Sequence, residues 1–466
     1  MRKELQNRKI VEIIAALALF HFVFLGSEYL FDGMMMYVTD SAGVVFAQSC
    51  LLGISVAGFL LYPLLNRFLK NRLKRIVTVV SIMICVGSLF LIVRHESYAS
   101  IMASGCVLFI LLCIMGSKVH YMAAGALARS VHPAAMVGMA YACGVLLQFL
   151  NHNLIRKSGA EACVLAVALV ALFVFTYLLK EKNVFSVRQS RVNSYSPVHA
   201  GIALVVMVVF MSFVFASLDN AVTLVHASGS VDIGQWPRLL LALSGLGAGF
   251  LFDIRERRYM HIMMYCITLL STVCVAVIAF GGPFLVGLVV FYLSAGFFAV
   301  FFAVAFMELS YHTGLPELWA GLGRGVNNFC AAIIGVCDTV LFTSRGTLSV
   351  IITVILLFVL ISIVVFFYSA LIAGQSRTEE HDDSDKDADQ KFSGFCRYYS
   401  LTEREQEVLK ILLSSDENIQ DIAEQLYISR AALYRHIGSL NEKTGTKSRI
   451  GLIQFYYGWN LPKLSD

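Results

Sequence analysis

The sequence predicts an all-α chain: a polytopic bundle of twelve membrane-crossing helices, followed by a small domain of four short helices. Three observations carry this. Of 466 residues, 58% are apolar and only 14% are charged, against roughly a quarter charged in soluble domains. The deficit is confined to residues 1–372, while residues 375–466 have an ordinary soluble composition. Within the first part, apolar runs of about 20 residues, the length that crosses a bilayer core, recur at regular intervals.

The runs lie near 10–30, 41–65, 76–93, 99–117, 134–151, 162–179, 199–225, 234–252, 260–280, 284–306, 318–342 and 347–372. The first lacks a small-residue cleavage site and reads as a retained span. The eighth is short, with Pro237 near its start. With a cytoplasmic N-terminus, the inner segments hold 18 lysines and arginines and the outer loops only Arg94, Arg156, Lys157, Arg238 and Arg345. This bias places both termini in the cytoplasm. All cysteines but Cys396 lie in or beside apolar stretches without a CxxC pair, and read as small core hydrophobes.

The bundle repeats itself. Gly58, Asn66 and Lys70 recur as Gly245, Asp253 and Arg257 at an offset of 187 residues, which marks two six-helix halves. With Gly249, Asp253, Arg257 and Arg258, the loop after the eighth run is similar to the Gly-x-x-x-Asp-x-x-x-Arg-Arg motif of the major facilitator superfamily. The resemblance implies a parallel repeat of six helices around a central cavity. In the first half the motif is degenerate, with Tyr62 for glycine and Asn66 for aspartate. A carboxylate beside guanidinium groups can latch two helix ends, so Asp253, Arg257 and Arg258 are candidates for a conformational latch. A positive-inside anchor is the simpler alternative.

Ionisable and amide side chains inside apolar spans are expensive and point to a site. Glu28, Gln148, Asp219, Asn220, Arg324, Asn327, Asn328 and Asp338 are therefore candidates for sensing a small-molecule effector. His21, Asn151 and His152 also lie in spans, and lone histidines there are more often core residues. Arg324 and the paired asparagines would recognise an anionic or phenolic molecule, with Asp219 or Glu28 balancing the arginine. A structural Arg–Asp pair between helices is the competing explanation.

The chain divides into a membrane domain at 1–373, an acidic disordered linker at 374–395 and a soluble domain at 396–466. Residues 375–391 hold seven acidic and three basic side chains and no large apolar one, too little to bury a core. Beyond them, Thr402 to Glu405 is a capping box, with Val408, Leu409, Leu412 and Leu413 as the buried stripe. Asn418 caps a second helix, Ser429 a third with Leu433, Ile437 and Leu440 inward, and Ser448 a fourth. Charge is segregated: residues 403–424 balance at −5 and residues 430–449 at +4, the footprint of a helix that reads a DNA groove.

Over about 55 residues this domain resembles the LuxR-type (NarL/FixJ-like) DNA-binding domain. The matching residues are Leu401-Thr402, Arg404-Glu405, Glu407-Val408-Leu409, Ile422-Ala423, Leu426, Ile428-Ser429, His436, Leu440, Lys443, Gly445 and Ser448-Arg449. Departures are Asp416 for glycine, Ala432 and Tyr434 for threonine and lysine on the recognition helix, and Thr444 for leucine. The resemblance implies contacts to double-stranded promoter DNA from Ser429, Arg430, Ala432, Leu433, Tyr434, Arg435, His436, Lys443, Lys447, Ser448 and Arg449. It also implies a homodimer through the last helix, with Ile450, Ile453 and Tyr457 as its face. By that resemblance the whole reads as a membrane-bound one-component transcription regulator in the lipid bilayer of a bacterial inner membrane. The alternative is a secondary transporter with a regulatory DNA-binding tail. No nucleophile–base pair or metal-ligand spacing occurs, so no enzyme chemistry, cofactor or metal is expected.

Overall fold

The computed structural model describes residues 7–128, 130–155, 157–178, 197–229, 232–279, 282–344, 355–356, 358–368, 391–414 and 418–459. Among them no strand occurs, and the chain divides into two compact units, Met1–Leu371 and Ile372–Asp466.

The first unit is a helical bundle: α1 (Arg8–Met35), α2 (Ser41–Phe68), α3 (Asn71–Arg94), α4 (Tyr98–Leu127), α5 (Pro133–Leu154), α6 (Ser158–Leu178), α7 (Pro197–Ala227), α8 (Trp236–Phe252), α9 (Met260–Ala279), α10 (Phe284–Ser310) and α11 (Pro316–Ser344). A further apolar helix covers Phe358–Tyr368. By length and composition, α1 to α7 and α10 can each cross a membrane, while α8 is shorter. Helices with all their backbone hydrogen bonds made internally suit a solvent that offers none. Outward faces are apolar too: on α3, Ile76, Val79, Val80 and Met83 are all exposed, as lipid-facing residues would be.

The two halves meet along paired antiparallel helices. α5 of the first half lies against α8 of the second, with backbones close enough that glycine is required. A Cβ on Gly138 would stand 2.6 Å from the Gly245 carbonyl, and one on Gly249 would stand 2.6 Å from that of Ala134. Small residues at such crossings replace hydrophobic driving force with close van der Waals contact. The repeat-related pair is α2 with α11, where Asn328 donates to Ser55 at 2.8 Å and a Cβ on Gly53 would meet that of Ala332 at 2.8 Å.

The second unit has its own core of Phe395, Val408, Leu409, Leu412, Ile422, Leu433, Ile437, Leu440, Leu452 and Tyr456, among others. Its helices are Glu403–Ser414, Ile419–Gln425, Arg430–Thr444 and Arg449–Gly458, as the capping signals indicated. Thr402 and Glu405 form the reciprocal box, with Thr402 N–H donating to Glu405 at 2.8 Å and Glu405 N–H to Thr402 at 3.4 Å. Asn418, Ser429 and Ser448 each accept the amides of their own first turns. The expected linker needs correction at its end. Residues 374–390 lie outside the described residues, but 391–398 are helical, and Phe395 is fully buried against Tyr456 and Trp459. Aromatic burial outweighs the acidic run that precedes it.

Glu405 joins the first and third of the four tail helices. Although buried, it accepts from Ser439 at 2.6 Å and Lys443 at 2.6 Å as well as from Thr402. Burial alone would raise its carboxyl, but the bonds from Lys443, Ser439 and Thr402 outweigh this and hold it down at about 2. Since the folded value lies below the unfolded one, near 4.3, this stabilisation is present above that range and is lost as the pH falls towards 2.

Two outcomes follow. In the full chain in detergent, Gly249→Ala should lower stability by about 1–3 kcal/mol through overpacking, whereas Gly247→Ala, whose Cβ meets nothing within 4 Å, should change melting little; equal effects would contradict a close-packed seam. In the isolated tail, urea titrations should show Glu405→Gln less stable than wild type by on the order of 2 kcal/mol at neutral pH. That gap should close between about pH 5 and pH 2, and a pH-independent gap would assign Glu405 a packing role alone.

Candidate functional site

Between the halves lies a cavity of about 80 Å³, lined from α1, α2, α5, α7, α8, α10 and α11. Its ionisable groups are Glu28 and Asp32 on α1, Asp219 on α7, Arg238 on α8 and Arg324 on α11, and its apolar wall includes Phe215, Phe291 and Phe298. Each helix contributes one face because its lining residues follow helical spacing: on α1, Glu28 and Tyr29 each lie three or four residues from both Leu25 and Asp32.

Of the candidate sensing residues, Glu28, Asp219, Arg324, Asn327 and Asn328 come together here. Gln148 is buried with an unpartnered Oε1, and Asn220 is buried; neither lines the cavity. The side chain of Asp338 lies outside the described ones. The expected pairing of Arg324 with Asp219 or Glu28 does not form. Arg324 instead lies 4.7 Å from the centroid of the Phe24 ring, a cation–π contact, while Glu28 accepts from Gln48 at 3.2 Å. Among the described residues, none of the five cavity charges forms a salt bridge. Two of them were missed by sequence reasoning. Arg238 was counted with the loops, yet it is in the first turn of α8 and only 8% exposed. Asp32 lies past the end of the first apolar run but inside α1, and is 4% exposed.

Both ends of the α5–α8 seam are pinned by polar contacts. At one end, Asp253 accepts the N–H of Ala135 at 2.7 Å and of Ala134 at 3.2 Å, so a residue of the second half satisfies the open amides of α5 in the first. A carboxylate there is also favoured by the helix dipole. Arg257 joins Asp253, at 3.5 Å, to Glu308 of α10. It is the last of three consecutive non-glycine residues, Arg255, Glu256 and Arg257, with positive φ, each costing roughly 1–2 kcal/mol in isolation. Arg258 is exposed and its side chain takes no part among the described contacts. The repeat-related loop behaves differently. Asn66 accepts from Lys74 at 2.8 Å, and it is Arg67 that reaches Gly314 O (3.2 Å), just before α11, and Glu317 in its first turn (3.3 Å).

At the other end of α8, Asp232 binds both α1 and α5. Tyr29 donates to it at 2.9 Å and His152 approaches it at 3.3 Å. His152 also contacts Glu161 of α6 at 3.0 Å, and Asn153 donates to Gly234 O at 3.1 Å. Burial pushes the Asp232 carboxyl up, but the Gly234 amide, Tyr29 and His152 together bring it below the ordinary carboxylate range. Gly234 is required here, since a Cβ would stand 2.5 Å from the His152 ring. Tyr29 lines the cavity as well as this cluster.

In the second unit the helix Arg430–Thr444 presents Arg430, Tyr434 and Arg435 to the exterior, with Ser429, Lys447 and Ser448 exposed beside it and Ala432, His436 and Arg449 half-buried. Leu433 must be removed from the expected DNA contacts. It is fully buried, because its position at four-residue spacing from Ile437 faces the core. Lys443 is committed to Glu405 and to Ser400 O at 3.0 Å. Tyr427, 96% exposed and held at φ 53° in the turn before this helix, is an aromatic that sequence reasoning passed over.

Residues 399–456 match the family of bacterial regulatory proteins called the luxR family. A comparison with curated proteins gave no match. Among solved structures, the chain is similar to the human organic anion transporter TETRAN, with 17% identity over 77% of this chain and 99% of that one and a TM-score of 0.55. It is also similar to an auto-inhibited peptide transporter of the POT family, with 12% identity over 79% and 97% and a TM-score of 0.50. At such identities the likeness speaks to fold alone. The chain is therefore a multi-pass membrane protein in which a bundle with the fold of the major facilitator transporters is joined to a LuxR-type helix-turn-helix DNA-binding domain.

Proposed function

We propose that this chain is a one-component transcription regulator of a bacterial inner membrane, which senses a small molecule in the cavity between its halves and binds promoter DNA through its tail. The carrying observation is that a small, charged cavity bounded by both halves shares one chain with a DNA-binding domain. A ligand that fits one arrangement of the halves better than another shifts the balance between them. Asp253, Arg257 and the Asp232 cluster are the contacts whose making and breaking would define those arrangements. The excess of lysine and arginine on the inner loops supports a cytoplasmic tail, where DNA is.

The exposed row Ser429, Arg430 and Tyr434 is suited to a major groove, with Arg435, Lys447 and Ser448 reaching phosphates. Tyr434 supplies stacking and a hydroxyl in place of a charge. On the last helix Ile450 and Tyr457 are exposed and Ile453 half-buried, seven residues spanning one face. This face would pair two tails on half-sites about one DNA turn apart, which a lone module's weak affinity requires.

In cells carrying a promoter reporter, Arg324→Ala should abolish the response to the effector while the protein still occupies its operator; unchanged induction would remove the cavity from the sensing role. In gel-shift titrations with the tail, Arg435→Ala should weaken operator binding and lower the slope of log K against log salt by about one. An unaltered slope would mean that Arg435 contacts no phosphate.

A further inference from the structure

The cavity holds charges of both signs that are not matched to one another. Three carboxylates (Glu28, Asp32, Asp219) and two guanidiniums (Arg238, Arg324) surround about 80 Å³ without a salt bridge between them. Separate buried charges are costly, and proteins ordinarily pair them. Three polar atoms of cavity-lining residues also lack any hydrogen-bond partner: Asp32 Oδ1, Arg238 Nε and Asn327 Oδ1. Their residues are 4%, 8% and 6% exposed. As an ionised carboxylate and an amide oxygen the first and third accept, and the guanidinium nitrogen donates. One guest that satisfies all three must offer donors and an acceptor together.

We propose that the cavity takes a small zwitterion, a molecule with an ammonium and a carboxylate a few atoms apart, as in a short-chain amino acid. This rests on the sensing reading above and names the ligand class for it. The ammonium, with three donors, serves Asp32, Glu28 and Asn327, and the carboxylate accepts from Arg238 and from the edge of Arg324 that Phe24 leaves open. A simple anion would add to an existing surplus of carboxylates and leave Asp32 without a donor. A simple cation would leave both guanidiniums unanswered. Size limits the guest to a small molecule, since the cavity is about 80 Å³. The guest has only a few heavy atoms, and the phenylalanine wall lies along its carbon chain.

The test uses the purified full-length protein in detergent, with thermal unfolding and calorimetric titration against alanine, β-alanine and γ-aminobutyrate, which step the distance between charges. Ethylamine and propionate are the single-charge controls. At least one zwitterion should raise the melting temperature and bind more tightly than either control by roughly tenfold or more, because each control strands buried charge. Asp32→Asn and Arg238→Gln should each remove that shift. Glu28→Gln, a near-isosteric change at a residue hydrogen-bonded to Gln48, should weaken binding even if the other two variants fail to fold, as judged by elution volume and unliganded melting. Equal binding of ethylamine or propionate, no shift with any of the three zwitterions, or binding indifferent to all three substitutions would overturn the proposal. A zwitterion that binds but leaves operator occupancy unchanged upholds the ligand class and overturns the sensing role. An effector without both charges that alters occupancy does the reverse.

Discussion

The structure of the membrane unit depends on one antiparallel pairing, that of α5 with α8. It unites the halves, and its closeness is set by atoms that are missing: any Cβ on Gly138 or Gly249 would strike the facing backbone. Once those helices touch, the Asp253 carboxylate falls on the amides of Ala134 and Ala135, and Asp232 falls beside His152. The cavity is what remains beside this seam, and Tyr141 of α5 and Arg238 and Leu241 of α8 face it. The repeat-related seam of α2 and α11 is held less by backbone and more by side chains. The reason is local, since Asn66 carries no charge to offer a helix N-terminus and binds Lys74 instead.

The two units use charge in opposite ways. In the tail, Glu405 is buried with donors from three residues, and its free energy goes into holding two helices together. In the bundle, five charged groups share a small space with no salt bridge among them. A fully satisfied network rigidifies a fold, while an unpaired polar group in the same low dielectric is costly. The tail is thus built for a fixed shape, while the cavity keeps buried polar atoms without a hydrogen bond.

Much of this was legible in the sequence, for identifiable reasons. The helices of the bundle follow from apolar run length, and the Gly249, Asp253, Arg257 spacing singled out Asp253, although its contact with the amides of Ala134 and Ala135 was not foreseen. The tail's caps at Thr402, Asn418, Ser429 and Ser448 obeyed local rules that tertiary packing did not override. Arg238 was not legible, because a basic residue next to Trp236-Pro237 reads as a loop; only the turn of α8 carries it inward. Asp32 escaped because hydropathy marks where apolar residues stop and not where the helix stops. The helix at 391–398 carried a signal in the spacing of Phe392, Phe395, Cys396 and Tyr399, hidden by the acidic run before it. Leu433 shows the reverse error, where family position suggested a contact and helical periodicity placed the side chain in the core.

The geometry of α8 has a mechanical consequence. Its 17 residues form a rod about 25 Å long, fastened to α5 at both extremities and carrying Arg238 near one of them. A rod clamped twice cannot rotate, but if the Asp232 attachment lets go, the same rod becomes a lever with its fulcrum at Asp253. A small shift of Arg238 would then appear, reversed and scaled by the ratio of the arms, at the far side of that fulcrum, where Arg257 grips Glu308. Were a clamp to yield, the choice between the two would decide which face of the bundle felt the motion.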